Sequence, residues 1–387
     1  MKNFTKLLAV ILCLVIALST AACSMKPQWS YKEAGADEEL PIGVYVYALY
    51  NAYNQARTYA QETEGYDQQT GLYGGETSFL NVKITDDDGK TAIASQWIYE
   101  EADKTMKTLL AINKEYDRLG ATMDEAKAKA NIKAEWTGEM YQQYIDMGYM
   151  VSDQTTLEAF GVSYESYEYF KLAIQKEQVI FDKLYEDGGE KAVPMADVTK
   201  FFEENYTSYT YFNTNLYTTD SQATENGALS SNKPMSDKEV KDNEKRYEGY
   251  VNSIKSGKSI DDIKKSFKAD YKLENDTAVS RIELTKEISA GEDIKKALET
   301  LKEGEATYIT VGTNADSKSL YFIYKAPIKS ETEKYLKDAT NKNKTLVDMK
   351  GDEFMKYIDT LTNTIKVEKS KFVGKYDVKM FEPKTEK

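Results

Sequence analysis

Cys23 is the side chain whose position by itself implies a reaction. It follows Ala21-Ala22, and the other cysteine, Cys13, lies upstream within an apolar run. Cleavage before Cys23 would leave one thiol, at the first mature position, with no partner for an internal disulfide. A thiol so placed in an exported chain is expected to be modified. Elsewhere the chemistry is bounded by what is missing. The chain has 0 His, which removes the commonest general base, the commonest metal ligand and any Ser-His or Cys-His nucleophile pair. Catalysis would have to rest on carboxylates, Lys or Tyr; otherwise the protein works by binding alone. The sequence shows no phosphate loop, nucleotide fingerprint or metal-ligand cluster, so no cofactor and no metal are expected.

The residues before Cys23 have the order of a secretory signal. Lys2 and Lys6 make a positive start, Leu7 to Leu18 is apolar throughout, and Ser19 to Ala22 are small or polar. That apolar stretch is short for a membrane span. With Cys23 the segment resembles the bacterial lipobox, although Thr20 stands where that family prefers Leu. The resemblance implies a signal peptide over 1–22, palmitate-type acylation of Cys23, and anchoring on the extracytoplasmic face of the cell membrane. Each buried methylene contributes about 0.8 kcal/mol, and two or more chains give stable anchoring.

The formal charge is −13, and loss of the signal lysines makes the mature chain more acidic still. That balance argues against nucleic acid and against adhesion to anionic lipid heads. The 30 Tyr outnumber 13 Phe and 3 Trp. Tyrosine combines apolar area with a polar tip, which suits half-buried helix faces as well as adaptable binding surfaces. Packing is the expected use for most of them.

Residues 24–40 are polar and without period, as in a tether. From Pro41 the spacing of Ile42, Tyr45, Val46, Leu49 and Tyr50 predicts a helix. Gly65 to Thr91 is looser, and its Asp86-Asp87-Asp88-Gly89 run lacks the alternation of a calcium loop, so a solvated turn is expected. Helical signals fill Ala92 to Asp187. Capping boxes are predicted at Thr122–Glu125 and Thr155–Glu158. Ser163 is expected to open a long helix with the stripe Tyr167, Phe170, Ile174, Glu177, Phe181 and Leu184.

After Gly188-Gly189 the character changes. Pro194 to Glu204 reads as a helix and Tyr206 to Thr219 as a strand, followed by a polar loop over Asp220 to Pro234. Ser236–Glu239 is a capping box for a charged helix ending at Gly257, and Ser259 starts another. Thr277–Leu284, Thr307–Val311 and Ser319–Tyr324 are expected strands, with a helix at Ile294–Leu301. Alternating strands and helices in that number describe a small α+β domain. Ser330–Glu333 is a fourth capping box before a helix carrying Phe354, Ile358 and Leu361. The tail after Ile365 is expected to be extended.

Three segments resemble the parvulin-type foldases of the PrsA and SurA group. Leu157 to Phe170 (LEAFGVSYESYEYF) is similar to the start of that group's long helix. Asn252 to Phe267 is similar to its helix–Gly–Ser–helix passage. Ile294 to Pro327, through Gly304-Glu305, is similar to its helix, turn and two closing strands. The resemblance implies an α+β fold: a helical, SurA N-like domain over 41–193, a parvulin-like domain with a four-stranded antiparallel sheet over 194–329, and a C-terminal helix and tail over 330–387 that pack on the helical domain. It also implies that this returning helix packs on the helix from Pro41, completing a chaperone cradle.

In that family a histidine pair, with Cys or Asp and Ser or Thr, lies beneath an apolar proline pocket. Here the first-strand position falls within Tyr211 to Asn213 and the last-strand position near Phe322, and neither is histidine. The glycine-rich second strand is altered too, reading TAVSRIEL. No catalytic residue can therefore be named. Tyr209, Tyr211, Phe212, Tyr308, Tyr321 and Phe322 fall on predicted strands; they are expected partly as core and partly as a shallow cradle for extended chain. The expected partners are unfolded, newly exported polypeptides. Three functions remain open: a lipid-anchored holding chaperone, a prolyl isomerase with a histidine-free site, and a binding or scaffold lipoprotein.

Overall fold

The structure, a computed structural model, describes residues 28–139, 154–224 and 227–382. The signal segment and Cys23 lie outside these residues. The chain divides into two units, one from Met1–Lys191 with Asp352–Lys387, the other from Ala192–Gly351. The fold is α+β.

In the first unit, strand β1 (Tyr31–Glu33) precedes helix α1 (Ile42–Gln61). Helix α1 buries Val44, Tyr45, Val46, Leu49, Ala52 and Tyr53, a wider face than the predicted stripe, whose Ile42 and Tyr50 are only half-buried. A helix apolar on most sides belongs inside a bundle. Gly43 shows how close the neighbours come, since a Cβ there would lie 2.4 Å from the Ser166 hydroxyl. Two small hairpins follow: β2 (Tyr66–Asp67) with β3 (Leu72–Tyr73), and β4 (Lys83–Thr85) with β5 (Thr91–Ile93). The aspartate run forms the turn between β4 and β5. It also ties two helices, because Asp86 accepts from Trp97 Nε1 at 2.9 Å and Asp87 from Tyr59 Oη at 2.8 Å.

Helices α2 (Ala94–Arg118), α3 (Glu125–Thr137), α4 (Gln154–Ala159) and α5 (Tyr164–Tyr185) follow in the same unit. Ser163 caps α5 as expected, accepting from the Ser166 amide. The predicted box at Thr122 is displaced: Asp124 is the cap of α3 and accepts from the Lys127 amide at 3.0 Å. Thr155 lies inside α4 rather than capping it. The buried face of α5 is Tyr167, Phe170, Ala173, Ile180, Phe181 and Leu184, whereas Ile174 is 47% exposed. Three-and-four spacing permits two adjacent stripes, and packing selects the one containing Ala173.

One further expectation for this unit is corrected. The expected tether is, from Ser30 onward, part of the body, with Ser30, Tyr31 and Leu40 fully buried. The tail after Ile365 also packs on this body. Its strand β12 (Val367–Lys369) pairs antiparallel with β1, and Val378 and Phe381 are buried. Polar composition misled at the tether, because a few apolar side chains and a short ladder suffice to tie down a strand. In the returning helix, Leu361 packs against the core cluster that holds the α1 residues. The ring of Phe354 meets Phe181 at 5.3 Å, and Asp359 pairs with Lys104 at 3.2 Å, so these residues lie against α5 and α2. The tail reaches α1 as well, through Phe381 against Tyr50 and Tyr53.

The second unit opens with α6 (Met195–Asn205), which leads directly into β6 (Tyr206–Asn215). The predicted strand to Thr219 breaks at Leu216. Beyond it β7 (Tyr217–Thr224) and β8 (Gly227–Pro234) form a hairpin where a loop was expected. Helices α7 (Asp237–Lys255) and α8 (Ile260–Asp270) follow, then β9 (Val279–Leu284), α9 (Glu292–Thr300), β10 (Ala306–Val311) and β11 (Ser319–Ala326). Ser236 and Glu239 form the predicted capping box, and Ser259 caps α8. The sheet is antiparallel with order β10-β11-β6-β9. Gly304, at φ +83°, makes the tight turn into β10 that a side chain would strain. Helix α10 (Lys329–Lys337) packs on α6 through Tyr335 stacked on Phe202 at 4.7 Å. Ser330, expected as its cap, sits inside the first turn and donates to the Pro327 carbonyl at 2.7 Å. The last helix, α11 (Ala339–Thr364), contains the division between the units.

Candidate functional site

Strand alternation sorts the six candidate aromatics onto the two faces of the sheet. Phe212, Phe322 and Tyr308 share the face that packs on α7 and α8. Tyr209, Tyr211 and Tyr321 share the face that packs on α9. The two sets are therefore separated by the sheet.

On the first face, Phe212 and Phe322 are register partners. Their rings stack at 4.6 Å and 10°. Phe267 from α8 stacks on Phe212 at 4.1 Å, and the ring of Tyr250 meets Phe322 edge-on at 6.3 Å. Both phenylalanines are essentially inaccessible, and Tyr308 is half-buried at the border of the same cluster. The windows in which the family resemblance looks for its histidine pair thus contain a sealed aromatic stack. Its rings carry no titratable atom.

On the second face, the Tyr209 hydroxyl donates to Glu283 Oε2 at 2.5 Å. Glu283 also accepts from the Ser289 amide at 3.1 Å, the Ser289 hydroxyl at 2.7 Å and Arg281 Nη1 at 3.2 Å. Desolvation pushes its pKa up, but the hydrogen bonds from Tyr209, Ser289 and Arg281 outweigh it and hold the carboxyl below the usual range. Burial pushes the Tyr209 phenol up, and the adjacent carboxylate adds to the rise. An acid held ionised and a phenol held neutral make a fixed structural pair, with neither poised to exchange a proton near pH 7.

Tyr211 and Tyr321 are half-buried, with ring centroids 6.3 Å apart. Arg281 stands on the neighbouring strand with one guanidinium nitrogen fixed by Glu283 and Ser289 and a side chain 37% exposed. Two part-open rings beside a held cation can bind a peptide by stacking and hydrogen bonding without covalent chemistry. Sequence reasoning had not singled out Arg281, Glu283 or Ser289. The signal was present, since alternation in Arg281-Ile282-Glu283 puts both charges on one face.

A separate cleft of about 540 Å³ lies in the same unit, lined by Phe201, Leu284, Lys286, Lys295, Glu299 and Asp348 rather than by the candidate aromatics. Among the described residues, no group of His, Cys, Asp and Glu could hold a metal ion. No described helix is long and apolar enough to cross a membrane.

No family model matches the chain, and no curated protein matches it. Among solved structures it is similar to the crystal structure of foldase protein PrsA from Streptococcus pneumoniae str. Canada MDR_19A. The identity is 16% and the TM-score 0.32, over 76% of this chain and 98% of that one. A likeness at that level transfers neither fold nor function.

Proposed function

We propose that this protein is a lipoprotein, acylated at Cys23 and held on the extracytoplasmic face of the cell membrane, that retains newly exported polypeptides by reversible, non-covalent burial of their apolar segments. The helical domain and the small α+β domain share this work, and the half-open rings of Tyr211 and Tyr321 offer one adhesive patch. The observation that carries the reading is the Phe212–Phe322 stack, which puts sealed, non-titratable rings within the windows where a parvulin-like isomerase would need histidine, while Tyr211 lies on the opposite face of the sheet. Adhesion is what remains. The acidic charge of −13 disfavours nucleic acid as a partner.

The test is suppression of aggregation of an unfolded client by the purified protein at stoichiometric amounts. Reduced light scattering supports the proposal, and unchanged scattering refutes it. The isomerase alternative is separated by a proline-limited refolding assay, because the bond before proline rotates over a barrier of about 18–20 kcal/mol and any catalysis is visible as a faster slow phase.

A further inference from the structure

The last described residues of the chain are bound to the helical unit in the manner of a foreign peptide. After Thr364 the chain adds β12 to β1, with Tyr31 opposite Lys369 and Glu33 opposite Val367. It then continues through two single 3-10 turns, Val373–Lys375 and Val378–Phe381. Only Val378 and Phe381 of the second turn are buried, and Lys379 between them is exposed. An added strand followed by side-chain anchors in pockets is a recurring way for one polypeptide to bind another.

The slot receiving Phe381 is aromatic on three sides. Its ring meets Phe160 edge-on at 4.8 Å, Tyr50 at 5.5 Å and Tyr53 at 5.5 Å. Beside it, the Tyr99 hydroxyl donates to the Tyr376 carbonyl at 3.3 Å and accepts from the Val378 amide at 3.2 Å. One side chain thus holds both polar groups of the passing backbone, an interaction any sequence can make. The segment is rich in lysine, and Lys369 pairs with Asp103 of α2.

We infer that this slot is a peptide-binding site occupied by the protein's own C-terminal segment, and that its exchangeable ligand is a basic polypeptide that carries an aliphatic and an aromatic residue three positions apart and presents both from a single 3-10 turn. Tyr50, Tyr53 and Phe160 take the aromatic anchor, and Tyr99 takes the backbone. The inference rests on the holding function proposed above and supplies its ligand class. A tethered occupant competes at an effective concentration of about millimolar, so clients reach the slot only when the tail is out.

The test uses the full chain and a fluorescently labelled peptide with the sequence of residues 370–382, read by anisotropy. The wild type is expected to bind this peptide at least tenfold more weakly than the Phe381→Ser variant, whose slot is empty. The same peptide carrying serine at the phenylalanine position should lose at least tenfold in affinity for that variant. An unfolded basic polypeptide should displace the labelled peptide. Equal binding of the two peptides, or no binding to a folded Phe381→Ser chain, overturns the inference, as does failure of the polypeptide to compete. If Phe381→Ser does not fold, Tyr99→Phe, which loses only the backbone clamp, is expected to speed tryptic cleavage at Lys379 at least threefold; an unchanged rate overturns the inference. Peptide binding without aggregation suppression would sink the holding function and leave the slot standing. Suppression without peptide binding would do the reverse.

Discussion

Phe212 on β6 and Phe322 on β11 face each other as register partners, with rings 4.6 Å apart and 10° from parallel. The stack continues through Phe267, and all three side chains are sealed from solvent. Truncation of such a ring removes both its transfer energy and its packing. Phe322→Ala is expected to destabilise the protein by about 3–5 kcal/mol, read as a fall in the denaturation midpoint. Introducing histidine at 212 and 322 together would bury imidazoles without partners, at about 1–3 kcal/mol for each unsatisfied group. That double variant should be less stable and no faster than wild type in a proline-limited refolding assay.

The adhesive patch makes a separate prediction. Tyr211 and Tyr321 are half-buried and their rings adjoin, so removing both strips contact area while sparing the sheet's core. The Tyr211→Ala, Tyr321→Ala double variant is expected to lose most client holding by this unit in a light-scattering assay. Its unfolding free energy should fall by about 2 kcal/mol, twice the common size of a single-site effect. A large loss of stability with holding intact would assign these rings to packing alone.

Acid should weaken the second unit through Glu283. Its carboxyl is held below the usual range because the hydrogen bonds from Tyr209, Ser289 and Arg281 overcome desolvation. A folded pKa below the unfolded one, which is about 4.3, gives stability that is present above that pH and lost as pH falls through the folded pKa. Glu283→Gln should therefore lower the melting temperature at pH 7, with the gap from wild type closing in acid. A gap that stays constant with pH would mean that the charge contributes nothing.

Glu177 behaves in the opposite sense. Burial raises its pKa, with no compensating cation among the causes. The folded state then favours the protonated form, so the penalty is fully present above the folded pKa and vanishes as pH falls below about 4.3. Glu177→Gln is expected to raise the melting temperature at pH 7 and to leave it unchanged in acid.

The anchor is tested on the living cell. Cys23→Ala should stop incorporation of labelled palmitate and shift the protein from the membrane fraction to the soluble one. Retention in the membrane with no label would contradict acylation as the means of attachment.

The fold was readable where local chemistry fixes it. Ser163, Ser236 and Ser259 announce helix starts because a hydroxyl there satisfies an orphan amide, and each caps as expected. Thr122, Thr155 and Ser330 fit the same pattern and do not cap, because a three-residue spacing to Glu also occurs by chance inside or before a first turn. The burial of Tyr31 and Phe381 was hidden for another reason. Each belongs to a polar stretch, and its partner lies far along the chain, in β12 and in α1 respectively. At the candidate site, alternation would have separated Tyr209 and Tyr211 from Phe212 before any coordinates. That Glu283 would gather four donors could not be read, since Ser289 arrives through a turn beyond the strand.

The most direct test of adhesion without catalysis is one time course: the refolding of an aggregation-prone, proline-limited test protein with and without this chain. The account predicts a larger yield of native protein and an unchanged rate for the slow phase. A faster slow phase at substoichiometric amounts, with the yield unaltered, would contradict it.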